Sequence, residues 1–159
     1  EQLGIANEKK VEEDIINRMI KLVKEKPIPL TGVLETLSYL SSKKIKIGLA
    51  TSSPDNLLRA VLSGLKIAHL FDVAHSAEFE EHGKPHPAVY LAAANKLNVD
   101  PHRCLVIEDS LNGVISGMAA KMKVVCIPEK THVKEPRLEV ADFMFEDMLL
   151  MLEALKKGC

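Results

Sequence analysis

The chain has 159 residues, 47% of them hydrophobic, which is enough for one compact domain with a sizeable core. Its 21 lysines and arginines nearly balance 22 aspartates and glutamates, with no block of five like charges, so a basic footprint for nucleic acid is excluded. The longest apolar stretches, 104–107 and 123–127, fall far short of the ~20 residues that cross a bilayer.

In chain order, residues 1–10 are polar and carry no signal-peptide core. The chain enters a helical pattern at once without an initiator Met, so the expectation is a cut or processed beginning. Over 11–26, Val11, Ile15, Met19, Leu22 and Val23 recur at helical spacing, an amphipathic helix. Pro27 and Pro29 forbid its continuation and mark a linker. After it, helices and short apolar strands alternate: helix 32–42, strand 45–50, helix 55–63 closed by Gly64, strand 71–74, helix 86–97, strand 104–107, helix 112–120, strand 124–127, strand 142–145 and helix 146–156. That alternation, with strands rich in Val, Ile and Leu, predicts an α/β fold with a mostly parallel sheet covered by helices on both faces. Cys104, Cys126 and Cys159 are odd in number and unclustered, and two lie in apolar runs, which suggests a reducing, cytoplasmic setting for a soluble protein. Met118, Met122, Met144, Met148 and Met151 read as core filler.

Ligands of such sheets gather at the carboxyl ends of the strands, and three of those junctions carry polar residues. In Leu49-Ala50-Thr51-Ser52-Ser53-Pro54, hydroxyls and backbone N–H groups before a helix suit a phosphate, and a plain helix cap by Ser53 accounts for the same residues. In Gly83-Lys84-Pro85-His86-Pro87, flanking Gly and Pro constrain a lysine that can offer a point charge to a phosphoryl oxygen, the alternative being a solvated loop lysine. His82 and His86 read as surface histidines. In Leu105-Val106-Ile107-Glu108-Asp109-Ser110, a strand ends in two adjacent carboxylates that repel unless a hard cation such as Mg2+ lies between them; Asp or Ser capping the next helix is the plainer reading, and both can hold.

In this order the three junctions resemble motifs II, III and IV of the haloacid dehalogenase (HAD) superfamily, through Leu-Ala-Thr-Ser-Ser, Gly-Lys-Pro-His-Pro and Ile-Glu-Asp-Ser-Leu-Asn-Gly, with Gly117, Ala119 and Ala120 matching the small-residue helix after motif IV. The chain is most similar to the β-phosphoglucomutase-like branch, and within it to the 2-deoxyglucose-6-phosphate and hexitol-phosphate phosphatases.

The resemblance implies a three-layer Rossmann-like core over 28–159 lacking its first strand, with 1–27 as the end of a helical cap. It implies a Mg2+-dependent phosphatase of small phosphomonoesters such as sugar or polyol phosphates, with a phosphosugar mutase or a catalytically inactive or regulatory fragment as rivals. Thr51 would bind the transferring phosphoryl group beside the Ser52 N–H, Lys84 would neutralise phosphoryl charge, and Asp109 with Glu108 would hold Mg2+. Thr31 and Ala88 replace a usual proline and a common aspartate. The larger departure is motif I: no Asp-x-Asp occurs, so the nucleophile would lie upstream of Glu1, in a segment joined to this chain or supplied separately. Its absence should leave the strands ending at Thr51 and Asp109 with unpaired facing edges. No Gly-x-Gly-x-x-Gly follows any strand, which disfavours a dinucleotide-binding domain.

Overall fold

Pro27 and Pro29 end the first helix, α1 (Glu8–Glu25), as expected, and the chain then turns through Gly32, whose φ of 85° no L side chain adopts cheaply, into α2 (Val33–Ser42). The structure, a computed structural model, describes residues 8–129 and 135–158, so the start of the polar stretch at 1–7 and the third cysteine, Cys159, lie outside the described residues. There follow β1 (Gly48–Thr51), α3 (Asp55–Gly64), β2 (Val73–Ser76), α4 (Ala88–Leu97), β3 (Leu105–Glu108), α5 (Leu111–Ala119), β4 (Lys123–Cys126), β5 (Phe143–Met144) and α6 (Met148–Lys157). All strand pairs are parallel, the α/β arrangement expected of alternating helices and apolar strands. No helix among the described residues is long and apolar enough to cross a membrane.

The strands form two sheets, β1-β2 and β3-β4-β5. Among the described residues β1 and β3 do not pair, so each presents an open edge. On β3, Val106 is buried while Leu105 and Ile107, on the other face, are 44% and 36% exposed. The expected helical cover holds, with α3 and α4 packed on β2, α5 packed on β3 and β4, and Val124, Val125 and Cys126 of β4 buried.

Two apolar clusters hold the layers. One joins Val89, Tyr90 and Ala94 of α4 to Val106, Val114, Val124 and Cys126. The other joins Leu37 of α2 to Ile47, Leu58, Leu62 and Ile67, each such side chain contributing about 1.5–3 kcal/mol of burial. By contrast α1 buries none of its residues and lies along α3 with Val11, Ile15, Met19 and Leu22 still exposed.

Three expectations need correction. Gly64 does not close α3 from outside; it is the helix's last residue, and a Cβ there would come within 3.2 Å of the Val23 carbonyl oxygen, so its smallness serves the packing of α1. The left-handed residue that ends the segment is Lys66, at φ 56°. Ser53 does not cap α3: Pro54 holds that position without a side-chain bond. Of the methionines, Met151 and Met122 are core and Met148 is half-buried, but Met118 and Met144 are 43% and 44% exposed.

Candidate active site

The carboxyl ends of β1 and β3 meet at one ammonium group. Lys84 leaves a loop after a 3-10 turn (Ala77–Phe79), and the Lys84–Pro85 peptide is cis. Its side chain is 9% exposed; Nζ donates to Oε1 of Glu108 and, at 3.4 Å, to the carbonyl oxygen of Ala50, and stands 4.7 Å from the centre of the Tyr90 ring. A lysine loses far too much hydration to sit there unpaired, so the loop-lysine alternative, a solvated side chain, is excluded by its burial.

Glu108 is the last residue of β3 and is 8% exposed in its side chain. Five donors surround it. Lys84 Nζ and the Tyr90 hydroxyl bond to Oε1, while Oε2 accepts from Ser110 Oγ at 3.0 Å and from the N–H groups of Asp109 and Ser110 at 3.2 and 3.3 Å. Burial alone would push its carboxyl up, but the Lys84 charge and the bonds from Lys84, Tyr90 and Ser110 outweigh it and hold Glu108 below the usual carboxylate range. Space for this carboxylate comes from Gly113, in the first turn of α5, where a Cβ would fall 2.0 Å from Glu108 Cδ and Oε2. Ser110 caps α5 by accepting the Gly113 N–H at 3.1 Å. The expected cap of the helix is thus Ser110, and the charge of Glu108 is met by Lys84.

Asp109 is exposed beside this buried pair. Partial desolvation, and next the charge of Glu108, raise its carboxyl above the usual aspartate value. Thr51 lies at the end of β1, and its Oγ1 accepts the Ser53 N–H at 3.0 Å, which shapes the turn that follows. Ser52 is exposed on that turn. Among the described residues no hydrogen bond joins Thr51 to Lys84, Glu108 or Asp109, so the fold unites Lys84 with Glu108 and sets Thr51 and Asp109 at its margins. His82 and His86 are exposed, their rings 4.9 Å apart.

Tyr90 was not among the candidates. Its signal was a lone phenol on a helix that otherwise buries Val89, Ala93 and Ala94, since a buried tyrosine hydroxyl requires a partner. Burial, followed by the charge of Glu108, drives its hydroxyl far above the ordinary tyrosine value, so it remains a donor at every working pH.

A family described as haloacid dehalogenase-like hydrolase matches residues 3–121, which span all three strand-end junctions. The chain belongs to the haloacid dehalogenase-like hydrolases. Among curated relatives of this family, hexitol phosphatase B of Escherichia coli (strain K12) is 40% identical over 132 residues, 83% of this chain and 60% of that protein. A phosphorylated carbohydrates phosphatase of Thermotoga maritima is 38% identical over 112 residues, 70% of this chain and half of that protein. The chain therefore spans half to three-fifths of the length of these two relatives. Among solved structures, a β-phosphoglucomutase from Clostridium difficile superposes with a TM-score of 0.81 at 29% identity, covering 98% of this chain and 69% of that one. The HAD-like α/β fold of the β-phosphoglucomutase branch, expected from the three motifs, is the fold of this chain.

Proposed function

We propose that the protein carrying this chain is a Mg2+-dependent phosphatase of small phosphomonoesters, sugar or polyol phosphates, acting through an aspartyl-phosphate whose nucleophile lies upstream of Glu1. The observation that supports it most is the buried Lys84 ammonium, held where β1 and β3 end and where a phosphoryl group would meet Thr51 and Asp109. The names of the relatives, hexitol and phosphorylated-carbohydrate phosphatases, support the substrate class.

The donor set suits Mg2+ on chemical grounds. Asp109 and Glu108 are hard oxygen ligands side by side, and the carboxyl of Asp109, raised by partial desolvation and then by the charge of Glu108, would be favoured in its charged form by a neighbouring cation. Mg2+ takes one or two carboxylates and completes its shell with water and substrate phosphate, so two acids from this chain are an adequate contribution. When bound, the ion would neutralise phosphoryl charge and orient the group for in-line attack.

The chain's own residues have separable tasks. Thr51 Oγ1 and the Ser52 N–H bind a phosphoryl oxygen. Lys84, with its three donors, can leave Glu108 Oε1 in part and turn toward the same oxygens, where its charge counts most in a water-poor site. Glu108 keeps Lys84 in place beforehand, so little reorganisation is needed at reaction. In this reading residues 1–27 are the end of a cap and 28–159 the core. A cavity of about 400 Å3 lined by Val11, Ile15, Met19, Ser53, Pro54 and Leu57 opens between them and could admit the non-phosphate part of a substrate.

The β-phosphoglucomutase likeness favours a phosphosugar mutase as second reading. The lack of any Asp-x-Asp favours a third, a fragment that binds Mg2+ or phosphate without turnover. Incubating the complete protein with Mg2+ and a panel of hexose and hexitol monophosphates separates them. Release of inorganic phosphate, abolished by Asp109→Asn and by Lys84→Ala, is the expected result. Phosphate moved between positions of one sugar without release would establish the mutase, and binding without either would establish the fragment.

A further inference from the structure

Four polar residues are buried in the described core, Thr36, His75, Ser76 and Ser116, and three of them spend their side chains on the loops at the strand ends. Ser76 Oγ donates to the Ser53 carbonyl at 2.7 Å, holding the turn after Thr51. Ser116 Oγ donates to the His86 carbonyl at 2.8 Å, two residues beyond Lys84. His75 is the most unusual: it is 3% exposed, and both ring nitrogens are bonded, Nε2 to Glu80 Oε1 at 2.6 Å and Nδ1 to Lys96 Nζ at 2.8 Å.

The neighbours fix its tautomer. An ammonium can only donate, so Nδ1 accepts from Lys96 and carries no proton; the single proton sits on Nε2 and is donated to Glu80. A neutral imidazole thus links a cation on α4 to a carboxylate on the loop, and the Phe79 ring stacks on it at 6.0 Å. Glu80 enters the loop four residues before Lys84 and His86 leaves it two residues after. The loop is therefore tied at both stems, by His75 to β2 and by Ser116 to α5, with Lys84 between.

We infer that His75 is a positioning residue for Lys84: through Glu80 it sets the loop so that the ammonium stands at the ends of β1 and β3, and Ser116 holds the other stem. This rests on the reading of Lys84 as the phosphoryl-contacting cation, and nothing in the family match or the relatives' names assigns a role to His75.

The test is a double-mutant cycle on the complete protein, reading the affinity for inorganic phosphate in the presence of Mg2+ for wild type, His75→Leu, Lys84→Ala and the double variant. His75→Leu is expected to weaken phosphate binding about tenfold, the size typical of lost support behind a site residue, and to add almost nothing once Lys84 is gone. Should His75→Leu fold poorly, His75→Gln, which can still donate to Glu80 from the Nε2 position, is expected to recover most of the affinity, and Glu80→Gln to lose it in the same Lys84-dependent way. The imidazole 15N shifts of the wild type should show the proton on Nε2. Equal losses in both backgrounds, or no loss at all, would overturn the inference alone; a Lys84→Ala variant that binds phosphate normally would overturn the reading of Lys84 and the inference with it.

Discussion

Replacing Gly113 by alanine separates the site's geometry from ordinary helix energetics, because the two predict opposite signs. Gly113 sits inside the first turn of α5 with no positive φ, so helix propensity alone predicts that alanine stabilises by up to about 1 kcal/mol. The added Cβ, however, would meet Glu108 Cδ and Oε2 at 2.0 Å and Oε1 at 2.3 Å. The carboxylate would have to retreat by more than an ångström to reach van der Waals distance. A shift of that size breaks the 3.0 Å bond from Ser110 Oγ and parts Glu108 from Lys84 and Tyr90. Separating a buried ion pair costs about 3–5 kcal/mol, so after the helix gain the net loss should be about 2–4 kcal/mol. Urea denaturation measures it directly. Gly83→Ala, whose Cβ would meet nothing within 4 Å, should change stability by less than about 0.5 kcal/mol. In a Glu108→Ala background Gly113→Ala should no longer destabilise. A Gly113→Ala protein as stable as wild type, with Glu108 intact, would refute the reasoning.

Tyr90→Phe keeps the ring under Lys84 but removes the donor to Glu108; loss of a hydrogen bond to a charged acceptor should cost about 1.5–3 kcal/mol by the same denaturation assay. The two acids should respond to pH with opposite signs. Glu108, lowered when folded, contributes stability that is present above the ordinary glutamate value of 4.5 and is lost as pH falls through its depressed folded value. Asp109, raised when folded, holds its proton better in the folded state, so stability rises as pH falls through that raised value. Hence, in EDTA at neutral pH, Asp109→Asn should raise the melting temperature and Glu108→Gln should lower it, with calorimetry as the readout. Added Mg2+ should raise the melting temperature of the wild type and leave that of Asp109→Asn unchanged.

The polar residues at strand ends are legible in the sequence because parallel strands export their chemistry to one edge, and Thr51, Lys84, Glu108 and Asp109 all follow or end apolar runs at that edge. Strand boundaries were less so. The second strand was expected at 71–74 and runs at Val73–Ser76, since Asp72 turns its carboxylate to the Ile47 N–H at 2.8 Å and spends itself outside the ladder. The purpose of Gly113 was hidden because only the approach of Glu108 from another element gives it meaning. Tyr90 and His75 were hidden for the same reason: a buried phenol and a buried imidazole declare a need for partners, but Glu108, Glu80 and Lys96 lie 18, 5 and 21 residues away. Ser53 shows the reverse error, a serine before a helix that local preference makes a cap and that the proline after it displaces.

The central claim, that these residues form the phosphoryl half of a hydrolase whose nucleophile lies upstream, is tested most directly by p-nitrophenyl phosphate hydrolysis with and without Mg2+. This chain alone should show no turnover, and a protein that also carries the native upstream segment should show Mg2+-dependent turnover that Lys84→Ala and Asp109→Asn both abolish. Metal-dependent turnover by the chain alone would contradict the account, because the nucleophile would then have to be one of its own residues.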